Sequence, residues 1–267
     1  YDSTTFRLEN CIIPVATFSL NDICIGDTLL LINQSTSIDT SSTYEWNVNY
    51  DGIVESTAKD SVKYYFSSPG TYNILLKVNN FVCEDTMLQS INVFPKPDAI
   101  LSTFGSTTFC PGGSSVLSAS TGVGYTYEWL KNGGLIQNAN SSFYQAYDTG
   151  DYKVAISNIY ACTDTSGSLS LGMYTFPSAL ISSTGSLSFC QGDSITLSAN
   201  SDNGLSYEWY QNGNAISGET ASQIVVTQSG SYSVKISSTD GCFDISTATQ
   251  VTVNPNPTAT LSAGGTT

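Results

Sequence analysis

The chain has 267 residues, of which 22 are acidic and 8 basic, so its formal net charge is −14; it contains no histidine. This charge disfavours binding to phosphate backbones and anionic lipid, so nucleic acid is not an expected partner. No apolar run approaches the roughly 20 residues of a membrane-spanning helix, so membrane insertion is not expected either. Abundant Ser, Thr, Val, Ile and Tyr, with few Glu, Lys and Ala, predict an all-β protein.

The start of the chain aligns with a later segment. When residue 1 is placed on residue 84, Asp2 falls on Asp85 and Pro14 on Pro97. Residues 1–13 are therefore predicted to be the last strand of a preceding repeat. The alternative is that residue 1 is a true mature N-terminus and that the alignment is chance.

A tripeptide, Tyr-Glu-Trp, occurs three times and predicts three tandem units. Trp129 and Trp209 are 80 residues apart, and Trp46 precedes Trp129 by 83. Prolines mark the boundaries between the units. The predicted full units are residues 14–96, 97–176 and 177–256, followed by the first strand of another repeat at 257–267.

Within each unit, three segments predict a β-sandwich. An alternating strand such as Ser115–Ala119 precedes the Tyr-Glu-Trp strand, which directs its Trp between two sheets. A later strand begins with Gly-x-Tyr, as in the tyrosine corner of immunoglobulin-like domains. The predicted core residues are Trp46, Trp129, Trp209, Tyr72, Tyr152 and Tyr232.

The segments FCPGGSSVLSAS, YEWLKNG and TGDYKVAIS, each with a later Cys, resemble the immunoglobulin-like and PKD-like repeats of large Bacteroidota cell-surface proteins. The first unit, through FSSPGTYNILLKV, is more similar to the PKD type. The resemblance implies a linear string of immunoglobulin-like β-sandwiches, the first one PKD-like. It also implies an extracellular protein, exported by the type IX system, that serves as an adhesin, stalk or filament.

Seven cysteines stand at repeated positions, which is typical of disulfides in an oxidising compartment. A zinc site would need closely spaced Cys or His ligands. Pairing within each unit would join Cys24 to Cys83, Cys110 to Cys162 and Cys190 to Cys242, with Cys11 left over.

Strand direction favours pairing between units instead. The strand after the first cysteine and the strand before the second run the same way, so these cysteines lie roughly 20 Å apart at opposite ends of one sandwich. A disulfide needs Cα atoms about 4.4 to 6.8 Å apart. The preferred pairs are Cys11–Cys83, Cys24–Cys162 and Cys110–Cys242, with Cys190 bonded to the next repeat.

Other candidate sites are weaker. Without histidine and with its cysteines in disulfides, the chain is not expected to be an enzyme. Calcium is the one cofactor considered, with loop carboxylates at Asp22, Asp27, Asp51 and Asp193 as weak candidates. Asp-Ser and Asp-Thr pairs resemble the Bacteroidota O-glycosylation motif. The candidate acceptors are Ser3, Thr28, Thr40, Ser61, Thr86, Thr165 and Ser194.

The expected function is a structural shaft or spacer of a surface adhesin or extracellular filament, stiffened by disulfides at its joints. Its partners would be neighbouring repeats, including self-association into a fibre. The alternative is a glycan-binding or protein-binding module on the same scaffold.

Overall fold

A computed structural model describes residues 12–80 and 82–259. The regular elements of these residues are all strands, and among them no helix is long and apolar enough to span a bilayer. The described chain divides into two compact units. Unit 1 contains the residues up to 101 together with 119–142 and 152–168, and unit 2 contains 102–118, 143–151 and the residues from 169 onward. The repeat boundaries predicted from the sequence stay predictions.

The first sandwich lies in unit 1. Its strands are β1 (Phe18–Ser19), β2 (Ile23–Cys24), β3 (Leu29–Asn33), β4 (Thr43–Val48), β5 (Ser61–Tyr64), β6 (Gly70–Asn79) and β7 (Glu84–Phe94). They form two sheets, of order β1-β3-β5 and β2-β7-β6-β4. All neighbours are antiparallel except β2 and β7. Alternate residues of both sheets meet in one core, where the Phe18 and Trp46 rings pack edge to face with their centroids 5.3 Å apart.

The next nine strands belong to both units. They are β8 (Leu101–Phe104), β9 (Thr108–Phe109), β10 (Ser115–Ala119), β11 (Thr126–Lys131), β12 (Gly134–Leu135), β13 (Phe143–Ala146), β14 (Gly150–Ser157), β15 (Thr163–Thr165) and β16 (Leu169–Met173). Within unit 1, β11 pairs with β12 and β14, and β15 pairs with β14, all antiparallel. Within unit 2, β10 pairs with β13, and β9 runs parallel to β16.

The last sandwich lies in unit 2. Its strands are β17 (Ile181–Ser183), β18 (Ser188–Cys190), β19 (Ile195–Ala199), β20 (Ser206–Gln211), β21 (Asn214–Ala215), β22 (Gln223–Val226), β23 (Gly230–Ser237), β24 (Phe243–Ile245) and β25 (Thr249–Asn254). Its sheets have the orders β17-β19-β22 and β18-β25-β23-β20-β21, with β24 also on β23. Here β18 runs parallel to β25, as β2 does to β7. The prediction of tandem immunoglobulin-like β-sandwiches is confirmed.

The three tryptophans occupy equivalent buried positions. Trp46, Trp129 and Trp209 are fully buried, and each indole N–H donates to a backbone carbonyl 12 residues later. The N–H···O distances are 3.0, 2.8 and 2.9 Å. A buried indole needs such an acceptor, because an unpaired N–H inside a protein is costly.

The tyrosines that open the long strands behave in two ways. Tyr152 and Tyr232 are buried as predicted, whereas Tyr72 is only half-buried and packs against the margin of the first core. The Tyr72 hydroxyl donates to the Ser68 carbonyl at 2.8 Å, and Tyr232 donates to the Gln228 carbonyl at 3.1 Å. Both bonds reach four residues upstream, which is the tyrosine-corner geometry. The same bond therefore occurs with a half-buried ring at Tyr72 and with a buried ring at Tyr232.

Candidate functional site: the disulfide-linked joints

The first joint consists of Cys24, Cys162 and the linker 94–97. Cys24 ends β2, which is paired in parallel with β7 so that Cys24 lies beside Phe94, the last residue of that strand. Cys162 lies in the turn after β14 and is fully buried. Cys24 and Cys162 form a disulfide with Cα atoms 5.6 Å apart. This is the pair that strand direction predicts.

The second joint consists of Cys110, Cys242 and the linker 174–177. Cys110 follows β9, which is parallel to β16, and Cys242 follows β23 and is 1% exposed. The two form a disulfide with Cα atoms 5.4 Å apart. The alternative pairs within one predicted repeat, Cys24–Cys83 and Cys110–Cys162, are therefore not formed. The parallel pairing of a short strand with the last strand explains the geometry, since it places the first cysteine where the chain leaves the sandwich.

The remaining cysteines differ in what is known of them. Cys83 is disulfide-bonded. Cys11, its predicted partner, lies outside the described residues, so this pairing stays a prediction. Cys190 is free and exposed. Its carbonyl accepts a bond from the Asp193 N–H at 3.1 Å, in the same kind of turn that follows Cys24 and Cys110.

A stacked pair of aromatic rings lies close to the first disulfide. Phe94 and Tyr160 stack with ring centroids 3.9 Å apart and planes 5° from parallel. Phe94 ends β7 and is paired with Cys24, and Tyr160 lies in the turn that carries Cys162. The ring contact and the disulfide therefore both connect this turn to the end of the first sandwich.

A carboxylate clamp recurs just after each turn that carries Cys83, Cys162 or Cys242, and sequence reasoning missed it. Asp85, Asp164 and Asp244 each accept a hydrogen bond from the backbone N–H of an alanine at 2.9, 3.1 and 2.9 Å. These alanines stand two residues after a boundary proline, at positions 16, 99 and 179. A signal was present, because Cys-x-Asp occurs three times and Pro-x-Ala four times, the fourth at Pro257 to Ala259. Periodicity alone could not show that the two motifs meet.

The four calcium candidates do not gather into a cation site. Among the described residues, no group of three or more Cys, Asp or Glu side chains could hold a metal ion. Asp22 accepts the Asn92 N–H at 2.7 Å, and Asp27 pairs with Lys96 at 3.2 Å. The Asp51 carboxylate accepts a backbone N–H two residues ahead at 2.9 Å. Asp193 lies in the turn after Cys190.

The recurring glutamates lie on an outer sheet face. Glu45, Glu128 and Glu208 are exposed. Glu208 accepts a hydrogen bond from Tyr210 at 2.7 Å, which raises the pKa of that tyrosine above its ordinary value. Lys235 lies 3.8 Å from the same carboxylate. An exposed carboxylate with such neighbours is typical of a solvated strand face.

The glycosylation candidates within the described residues share one property, which is solvent exposure. Ser3 lies outside these residues. The exposed acceptors are Thr28, Thr40, Ser61, Thr86, Thr165 and Ser194. Each hydroxyl side chain is therefore on a surface that a modifying enzyme could reach.

Comparison with known proteins bears on the fold. Residues 177–257 match the family described as Ig-like domain CHU_C associated. No curated protein matches the chain.

Three solved structures illustrate the similarity. The I-band fragment I67–I69 from titin is 14% identical, covers 91% of this chain and 100% of its own, and has a TM-score of 0.43. Drosophila OTK extracellular domains 3–5 are 11% identical, with coverages of 91% and 99% and a TM-score of 0.35. Bacteroides ovatus SGBP-B, in complex with a mixed-linkage heptasaccharide, is 16% identical, with coverages of 92% and 71% and a TM-score of 0.28.

Proposed function

We propose that this chain is a structural shaft of a secreted bacterial surface adhesin or extracellular filament, in which disulfides stiffen the joints between sandwiches. One observation carries the proposal. The bonds Cys24–Cys162 and Cys110–Cys242 span 138 and 132 residues, so each joins two successive repeats predicted from the sequence. A bond used only to stabilise a single sandwich would remain inside one predicted repeat.

The chemistry of the joints supports this role. Closing a loop of this length contributes about 5 kcal/mol of chain entropy in the loop-closure account of disulfides. The linkers are short and contain proline, which limits bending. Disulfides persist outside the reducing cytosol, which supports an extracellular location. Immunoglobulin-like sandwiches serve as scaffolds, and the proposal assigns no catalysis to this chain.

Cys190 extends the same scheme. It is exposed, it ends a strand that is parallel to β25, and its turn matches those of the two bonded cysteines. We assign it a disulfide to the corresponding cysteine of a neighbouring repeat. The exposed Asp-Ser and Asp-Thr sites would carry O-linked glycans in the native protein, which intact-mass measurement before and after chemical deglycosylation tests.

The function is tested by the spread of distances across the first joint. Fluorophores placed on Thr43 and Ser141, both exposed, would report the joint in single molecules. Oxidised wild-type chain should give one narrow distribution of transfer efficiencies, and the double variant Cys24→Ser/Cys162→Ser a broader one. The variant Cys110→Ser/Cys242→Ser is the matched control and should leave this joint narrow. Equal widths in all three proteins would remove the stiffening role.

A second candidate, glycan binding, is favoured by one surface. Phe104 and Phe143 are 66% and 51% exposed, with ring centroids 6.0 Å apart. They lie on the outer face of the sheet β8-β10-β13, among uncharged side chains such as Ser118 and Gln145. Sugars offer apolar ring faces and hydroxyls that suit such a surface.

Affinity electrophoresis in gels containing neutral polysaccharides tests this candidate. Retardation that is lost in Phe104→Ala/Phe143→Ala, and kept when the exposed Val225 of another sheet is changed to Ala, would support it. Unchanged mobility in every polysaccharide would leave the shaft as the function.

A further inference from the structure

An asparagine organises the turn that carries the buried cysteine of the first joint. The Asn158 carboxamide oxygen accepts the backbone N–H groups of Tyr160 and Cys162 at 3.0 and 3.1 Å. Its amide N–H donates to the carbonyl of Pro95 in the linker at 2.8 Å. One side chain therefore both shapes the turn around Cys162 and ties that turn to the linker that follows the Cys24 sandwich.

The same arrangement recurs one predicted repeat earlier in the chain. The Asn80 carboxamide accepts the N–H of Cys83 at 3.0 Å and donates to the carbonyl of Ile12 at 2.6 Å. Ile12 and Pro95 each stand two residues before a boundary proline. Two occurrences on different lengths of turn show that the contact set belongs to the joint and is not an accident of one loop.

The second joint lacks this side chain. Ser238 occupies the position of Asn158, and its backbone N–H keeps the bond to the Cys242 carbonyl at 2.8 Å. Its hydroxyl is buried and has no hydrogen-bond partner. Serine carries a hydroxyl where asparagine carries a carboxamide, so its side chain ends nearer the backbone and has no amide N–H to donate to a linker carbonyl. Each joint thus has its own disulfide, but the side-chain hydrogen bond from the turn to the linker is made by Asn158 in the first joint and not by Ser238 in the second.

We infer that Asn158 is a positioning residue, which holds Cys162 against Cys24 and makes the disulfide of the first joint harder to reduce. This inference rests on the proposed role of the disulfides as joint locks. The physical reason is effective concentration, because a contact that keeps the joint closed after reduction keeps the two thiols near each other. In the second joint, the Ser238 hydroxyl makes no such contact and does not raise the effective concentration of the thiols.

The test is the reduction equilibrium of each disulfide in glutathione buffers. In the oxidising direction, two protein thiols lose two protons and two electrons to glutathione disulfide, which becomes two reduced glutathione molecules. Samples are acid-quenched and alkylated, and both bonds are quantified in the same protein by mass spectrometry. Each bond therefore serves as the internal control for the other.

Two reciprocal variants separate positioning from general stability. Asn158→Asp keeps the acceptor oxygen of the turn and loses the donor to Pro95, while Ser238→Asn supplies the missing carboxamide. Asn158→Asp should shift the Cys24–Cys162 equilibrium roughly fivefold toward the dithiol, as expected for one lost hydrogen bond, with Cys110–Cys242 unchanged. That ratio corresponds to about 20 mV for a two-electron couple. Ser238→Asn should shift Cys110–Cys242 by a similar factor toward the disulfide.

The gain expected from Ser238→Asn cannot arise from misfolding. Equal shifts of both bonds in Asn158→Asp, or no selective shift in either variant, would overturn the inference while leaving the joint disulfides in place. A wild-type chain without a Cys24–Cys162 peptide would instead remove the proposed function itself.

Discussion

A single break in the backbone anywhere between Cys24 and Cys242 should not split this chain into separate fragments, because the disulfides Cys24–Cys162 and Cys110–Cys242 interleave. Cys110 lies inside the loop closed by Cys24–Cys162, and Cys162 lies inside the loop closed by Cys110–Cys242. Every peptide bond from residue 24 to residue 242 is therefore bridged by at least one disulfide. The chain would therefore stay covalently connected after a single proteolytic cut, as the proposed shaft role requires.

The perturbation is a protease recognition sequence inserted at Gly105 or at Gly185. Both glycines lie in exposed loops with open space around them, where insertions are tolerated best. With the observed pairs, a cut at residue 105 is bridged only by Cys24–Cys162 and a cut at 185 only by Cys110–Cys242. Pairing within each predicted repeat would leave both positions without a disulfide across the cut.

The assay is denaturing electrophoresis of alkylated protein after cleavage. Without reductant, either cut chain should run as one species of about 28.4 kDa, and with reductant the first should give fragments 1–105 and 106–267. Cys24→Ser should release the fragments of the 105 cut but not those of the 185 cut, and Cys110→Ser should do the reverse. Release of the fragments without reductant from a cut chain that keeps all its cysteines would refute the interleaved pairing.

Three further outcomes are expected from individual side chains, each measured by urea unfolding with Cys190 alkylated. Tyr44→Phe should raise the free energy of unfolding by about 1 kcal/mol, because the buried Tyr44 hydroxyl has no hydrogen-bond partner. Tyr232→Phe should lower it by about 1 kcal/mol, because it loses the bond to Gln228. A less stable Tyr44→Phe together with a more stable Tyr232→Phe would contradict this. Ala161→Gly should stabilise by about 1 kcal/mol, because Ala161 has a φ of 60° that costs a non-glycine residue strain, and Gly241→Ala at the matching turn should do the opposite. Burial raises the pKa of Tyr44 and of Tyr232, so the folded state favours the neutral phenols. The free energy of unfolding should therefore be constant below the ordinary tyrosine pKa of about 10 and should fall as the pH rises above it. The fall should be flatter in the variant with both tyrosines changed to Phe.

Local pattern determined much of this protein. The regular spacing of the tryptophans, 83 and 80 residues, and the alternation of the strands predict tandem sandwiches, because side-chain period and burial are properties of short segments. The expected direction of two strands was enough to favour Cys24–Cys162 and Cys110–Cys242 over the bonds within each unit. Recurring motifs carry such information because each copy must solve the same packing problem.

Tertiary structure decided the features that depend on distant residues meeting. The recurring Cys-x-Asp and Pro-x-Ala motifs do not show that Asp164 accepts the N–H of Ala99, 65 residues away, and no local pattern indicates that Asn158 reaches Pro95. The partial exposure of Tyr72 is of the same kind, because it shares its Gly-x-Tyr motif with the buried Tyr152 and Tyr232. Hydrogen bonds select atoms to within a few tenths of an ångström, whereas hydrophobic periodicity only selects a face. The sequence by itself therefore determined the sandwiches and the cysteines that link them, and the folded chain determined how each joint is held.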